Sequence, residues 1–115
     1  MEGIARKSVP SFNALNTGMT ILTSDQFDAV VGQTKPTIVL FAGRWSSLGS
    51  LVAFKIITTL DQDKVSIYQV DIDSPDGANV AERLSIRQSP TVILFKAGVP
   101  LLRDTDLTDE MIQSI

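Results

Sequence analysis

Apolar positions along this chain fall into runs of two kinds, continuous and spaced. Met19-Thr20-Ile21-Leu22 is short and reads as a strand. Thr23-Ser24-Asp25-Gln26 follows with capping-box spacing, Thr23 at the N-cap and Gln26 three residues on. Phe27, Val30 and Val31 then give a helix one apolar side, and Gly32 to Pro36 closes the unit. Thr37-Ile38-Val39-Leu40-Phe41-Ala42 is continuously apolar and rich in β-branched residues, the pattern of a central strand covered on both faces. Gly43 breaks the run, and Ser46 or Ser47 is placed to cap a helix running to about Leu60. Ala53, Ile56, Ile57 and Leu60 form one stripe of that helix. Leu48, Leu51, Val52 and Phe54 add apolar surface elsewhere, and Lys55 is the only charge. A helix apolar nearly all round is expected to be buried on more than one side, which implies a partner.

The second half repeats the alternation. Val65 to Ile72 reads as a third strand ending in acidic residues and Pro75. Asn79 to Ile86 carries a short helical pattern through Val80 and Leu84, and Thr91–Phe95 is a fourth strand. Lys96-Ala97-Gly98 is a tight turn, after which Leu101-Leu102-Arg103 pairs back as a hairpin. Pro100 suits an edge strand, where a missing N–H is harmless. Thr108 caps a last helix, with Asp109 and Glu110 in its first turn where the dipole favours them. The order β-α-β-α-β-α-β-β-α predicts an α/β domain over 19–115 with helices on both faces of one sheet. Residues 1–18 show no sustained period and read as an N-terminal extension without regular structure of its own.

Composition narrows the chemistry sharply. The 115 residues contain no Cys and no His, which removes thiol catalysis, disulfides, thiolate metal sites and the commonest general base. A net charge of −3 without a basic run offers no footprint for nucleic acid. No apolar stretch reaches the roughly 18 residues of a membrane span, and residues 1–18 lack the apolar segment of a secretory signal. A cytoplasmic location is expected on that basis, with neither nucleic acid nor membrane as partner, no cofactor and no metal.

Several segments taken together resemble thioredoxin. Thr37–Trp45 resembles its strand and site Trp, and Val70-Asp71-Ile72-Asp73 its third strand. Ser85 to Gly98, containing Ser89-Pro90-Thr91, is similar to the stretch that runs through the cis-proline into the hairpin. Leu22 to Phe27 is similar to the start of its first helix. The resemblance implies a thioredoxin-like fold, a mixed sheet of about five strands with about four helices, and a cis bond at Pro90. It also implies that the Cys-x-x-Cys site falls on Ser46, Ser47, Leu48 and Gly49. There a hydroxyl replaces the nucleophilic thiol, and a residue without a side chain replaces the resolving one. The family's buried Asp falls on Leu40, the accompanying Lys on Gln69, and the Gly lining the substrate groove on Thr105. These losses form a set, since a carboxylate in a core strand is costly without a task.

The expectation is therefore a redox-inactive member acting as a protein-interaction module. A protein or extended peptide would bind at Trp45, Leu48, Gly49, Ser89, Pro90 and Thr91, and helix 48–60 would offer a route to a homodimer. The alternatives are enzymatic. One is an oxidoreductase whose cysteines were substituted, for which Ser47 and Ser50 also keep Cys-x-x-Cys spacing. The other is a thiol-binding serine variant, as in serine-type glutathione transferases. A third possibility is a structural subunit whose residues 1–18 dock in a larger assembly. A hydrolytic Ser lacks a base, with only Lys55 near in sequence. Asp71, Asp73, Asp76 and Glu82 superficially follow a calcium loop, but Gly77 is one position late, and a solvated acidic turn is the simpler reading.

Overall fold

The computed structural model describes residues 19–115, so the extension expected over 1–18 lies outside the described residues. In chain order the elements are β1 (Thr20–Ile21), α1 (Ser24–Val31), β2 (Thr37–Ala42), α2 (Ser47–Thr59), β3 (Ser66–Asp71), α3 (Pro75–Arg83), β4 (Thr91–Lys96), β5 (Val99–Asp104) and α4 (Asp109–Gln113). The five strands form one mixed sheet in the order β1-β3-β2-β4-β5. β1 and β2 run parallel to β3, while β4 is antiparallel to both β2 and β5. The α/β class, the mixed sheet, and the five strands and four helices among the described residues are as the sequence predicts.

All six residues of β2 are buried, because helices cover both faces of the sheet at its middle. On one face Ile38, Leu40 and Ala42 meet Val52, Ala53 and Ile56 of α2, with Met19, Leu107 and Met111 extending the cluster. On the other, Val39 and Phe41 meet Phe27 and Val31 of α1 and Val80 and Ala81 of α3. The alternation of β2 between the two clusters is the period of two that a strand imposes. Phe27 packs edge-on against both Phe41 and Phe95 at centroid distances of 6.3 and 5.7 Å.

Two helices differ from expectation. α3 starts at Pro75 rather than Asn79, with Ser74 as N-cap accepting from Gly77 N at 2.9 Å and Pro75 in the first turn, where its absent N–H costs nothing. Gly77 is required there, because a Cβ would run into the Asp71 carbonyl. α2 differs more. Only Gly49, Val52, Ala53 and Ile56 are buried, so the helix is covered on one side, not on several. Leu48, Leu51 and Phe54 stand in solvent at 57%, 67% and 63% exposure, since no other described element reaches over them. In the β4–β5 hairpin Ala97 and Gly98 both take positive φ, which suits the tight turn before the edge strand. Pro100 lies on that edge.

Candidate functional site

The C-terminal end of β2 delivers the chain to a turn, Gly43 to Ser46, and then to the N-terminus of α2. Ser46, not Ser47, is the cap: its Oγ accepts from Gly49 N at 3.0 Å and satisfies one orphan donor of the first turn. Behind it, Gly49 is buried against β2, and a Cβ on Gly49 would lie 2.8 Å from the Ala42 Cβ and 3.3 Å from Ser46 Cβ and Oγ. Carbon atoms prefer about 3.5–4.0 Å, so α2 has settled onto the strand at a separation that leaves position 49 no room for a side chain. Ser47 is exposed and Ser50 half-buried on the helix.

The positions that would support thiol chemistry are also apolar or neutral. Leu40 is fully buried in the α2-side core. Gln69 is buried and donates Nε2–H to the Ala42 carbonyl at 3.3 Å, fastening β3 to the end of β2. Lys55 is drawn away from Ser50 by Asp106, its Nζ lying 3.2 Å from the carboxylate. The acidic residues after β3 serve the backbone. Asp71 accepts from Asp73 N at 3.0 Å and Arg44 N at 3.3 Å, and Asp76 accepts from both the N–H and the hydroxyl of Ser24 at 2.6 Å. Those two bonds hold the Asp76 carboxyl below its ordinary pKa.

The Ser89–Pro90 peptide is cis and faces this helix terminus. Leu48, Gln88, Ser89, Pro90, Thr105 and Asp106 line a shallow cavity of about 360 Å³. On the other side of Ser89 a larger depression of about 760 Å³ runs toward α3, with Ile72, Glu82, Ile86 and Arg87 in its walls. Ser89 is thus an exposed ridge between two hollows. None of the backbone hydrogen bonds outside the helices and strands of the described residues involves Ser89. Trp45 stands at 56% exposure beside Leu48, with the Arg44 guanidinium over its ring at 5.7 Å.

The residues expected to bind a partner thus divide by burial. Trp45, Leu48 and Ser89 are exposed; Gly49, Pro90 and Thr91 are buried and shape the surface from beneath. Thr91 belongs to the β4 ladder opposite Phe41, and its hydroxyl donates to the Gln88 carbonyl at 2.6 Å, pinning the loop that carries Ser89. Gln88 and Asp106 line the groove without having been singled out. Thr105 lies in the groove wall, the place that the resemblance assigns to a glycine.

The family model described as Thioredoxin matches residues 18–113. The chain belongs to the thioredoxin family. It is 33% identical over 81 residues to a thioredoxin of Malassezia sympodialis, covering 68% of this chain and 75% of that one. To a thioredoxin of Mycolicibacterium smegmatis it is 31% identical over 85 residues, covering 71% and 76%. Among solved structures, Chlamydomonas reinhardtii thioredoxin f2 superposes with a TM-score of 0.70 at 17% identity, over 84% of this chain and 92% of that one. Thiol–disulfide exchange needs a thiolate, and a thioredoxin-family chain with no cysteine has none. Among the described residues no helix is long and apolar enough to cross a membrane.

Proposed function

We propose that this thioredoxin-family chain is a non-catalytic interaction module that takes up an extended protein segment across Ser89, with Trp45 and Leu48 as apolar walls. The observation that carries this reading is the exposed, uncommitted Ser89 backbone between two hollows, beside a helix terminus whose chemical residues have been replaced. An extended peptide laid along such a backbone gains main-chain hydrogen bonds from Ser89, while side chains on alternate sides enter the hollows, as in strand addition. Gly49 and Pro90 shape that surface from beneath, and Thr91 holds the loop in place.

The enzymatic alternatives have less support. A substituted oxidoreductase would keep space for a resolving cysteine at position 49, and Ala42 fills that space. The thiol-binding serine reading asks Ser46, whose oxygen caps α2 by accepting from Gly49 N, to donate its O–H to a thiolate as well. The test compares proteins recovered from native extract by the immobilised full chain with those recovered by Trp45→Ala and Ser89→Pro, folding being checked by circular dichroism. A partner retained by wild type and lost from both variants supports the reading; equal recovery by all three refutes it. In parallel, insulin reduction by the chain as it stands is expected to show no turnover.

A further inference from the structure

The loop that carries Ser89 leaves α3 through a left-handed turn. Ser85 takes φ 55, and the N–H groups of Ser85 and Ile86 donate to the Glu82 and Ala81 carbonyls at 3.0 and 2.9 Å. That pair of bonds closes the helix in the Schellman pattern, with Ile86 folded back onto the apolar cluster that contains Val80 and Ala81. The turn leaves the next two carbonyls, those of Leu84 and Ser85, without a backbone donor among the described residues. Arg103 of the edge strand β5 serves both. Its Nη2–H donates to the Leu84 oxygen at 2.7 Å and its Nη1–H to the Ser85 oxygen at 3.3 Å. No ion pair of the described residues draws the guanidinium elsewhere. Its charge also lies at the C-terminal end of α3, where the helix dipole favours a cation.

We propose that Arg103 is a positioning residue for the Ser89 ridge, acting through the Leu84 and Ser85 carbonyls. The loop is tied at two points. Arg103 fastens its start to β5, and the Thr91 hydroxyl fastens the Gln88 carbonyl to the start of β4 at 2.6 Å. Between the ties, the backbone of residues 87–89 makes no hydrogen bond to other backbone among the described residues. Its shape is therefore set by the two ties and by Ile86, half-buried against the core. A backbone left open for a ligand's main chain is poorly fixed for the same reason, and each tie removes conformations that binding would otherwise have to freeze. The fork of the guanidinium matters here. Two nitrogens meet two successive carbonyl oxygens, which a single ammonium cannot reproduce. Arg103 also lines, with Ser85, Arg87 and Gln88, a hollow of about 410 Å³, so one side chain spans the gap between the loop and β5. That a tied ridge binds peptide better rests on the function proposed above, whereas the tie and its effect on the loop do not.

The measurement is backbone amide relaxation by NMR on the free full chain, wild type against Arg103→Gln and Arg103→Lys. In wild type the amides of residues 87–89 are expected near the order parameter of ~0.85 that marks rigid backbone, and in both variants they should fall toward ~0.6. Residues 78–80 of α3 and 92–94 of β4 should keep their wild-type values. Arg103→Lys discriminates most sharply, because it preserves the charge at the helix end and removes the fork. A loop as ordered as wild type in either variant overturns the inference, and so does loosening that spreads through α3 and β4. A peptide selected from a random library on the wild-type chain should bind both variants about 3- to 10-fold more weakly. Equal affinity for all three proteins overturns the positioning role. If wild type selects no peptide, the function proposed above fails, and the relaxation data still decide whether Arg103 holds the loop.

Discussion

The contact between Gly49 and Ala42 yields the sharpest prediction. Gly49→Ala places a methyl 2.8 Å from the Ala42 Cβ and 3.3 Å from two atoms of the cap residue. Neither neighbour is the far end of a flexible side chain, so the helix start must lift or the strand must shift. Overpacking of this kind costs about 1–3 kcal/mol. Against it stands the gain of replacing Gly by Ala in a helix, about 0.5–1 kcal/mol in an interior and less in the first turn. The net expectation is a loss of about 1 kcal/mol, lowering the melting temperature by roughly 4–8 °C for a domain of this size. Thermal and urea unfolding followed by circular dichroism would measure it. The cause is isolated by a double-mutant cycle with Ala42→Gly, which removes the opposing methyl at its own cost. In that background Gly49→Ala should become neutral or stabilising, a coupling of about 1–2 kcal/mol between residues in contact. A Gly49→Ala variant as stable as wild type, or one equally destabilising in both backgrounds, would refute the claim that position 49 has closed.

Three further outcomes follow from the same geometry. Ser46→Ala removes the cap of α2 and should cost about 1 kcal/mol in urea unfolding, while glutathione titrated against wild type should leave Trp45 fluorescence unchanged. Leu40→Asp, restoring the family's carboxylate to a fully buried position without a cationic neighbour, should cost at least about 3 kcal/mol by the same assay. The Asp76 carboxyl has a folded-state pKa held below its unfolded value by the Ser24 bonds. Its contribution to stability is therefore present above about pH 4, near the unfolded pKa, and is lost as pH falls through the folded value. Asp76→Asn should accordingly flatten the acid limb of the urea-midpoint profile below pH 4.

Much of the fold was legible because its signals are local. The capping-box spacing at Thr23 and Gln26 predicts where α1 begins, and Gln26 Oε1 does accept from Thr23 N at 3.0 Å. The uninterrupted apolar run of β2 predicts a strand with both faces covered, and it lies at the middle of the sheet. The early start of α3 was missed because Asp76 and Gly77 interrupt the apolar period, although Ser74 and Pro75 carried a cap and first-turn signal. The site was only half legible. Its chemical losses are written in residue types, at Ser46, Gly49, Leu40 and Gln69. Thr91 is expected both to open a strand and to bind a partner, and the ladder with Phe41 places it inside. The closeness of Gly49 to Ala42 comes from packing between helix and strand, which no local pattern encodes. Nor does the apolar richness of α2 say that one side stays in water, because burial is set by the elements that pack over a helix and not by its own residues.

The central claim is that an extended segment binds across Ser89 without redox chemistry, and amide mapping tests it most directly. Peptides selected from a random library against the full chain would be titrated into isotope-labelled protein. The account predicts shifts concentrated at the Ser89 amide, the Trp45 indole N–H and Leu48, lost in Trp45→Ala. Shifts centred elsewhere, for example on the β5 edge, or selected peptides bound equally by Trp45→Ala, would contradict it.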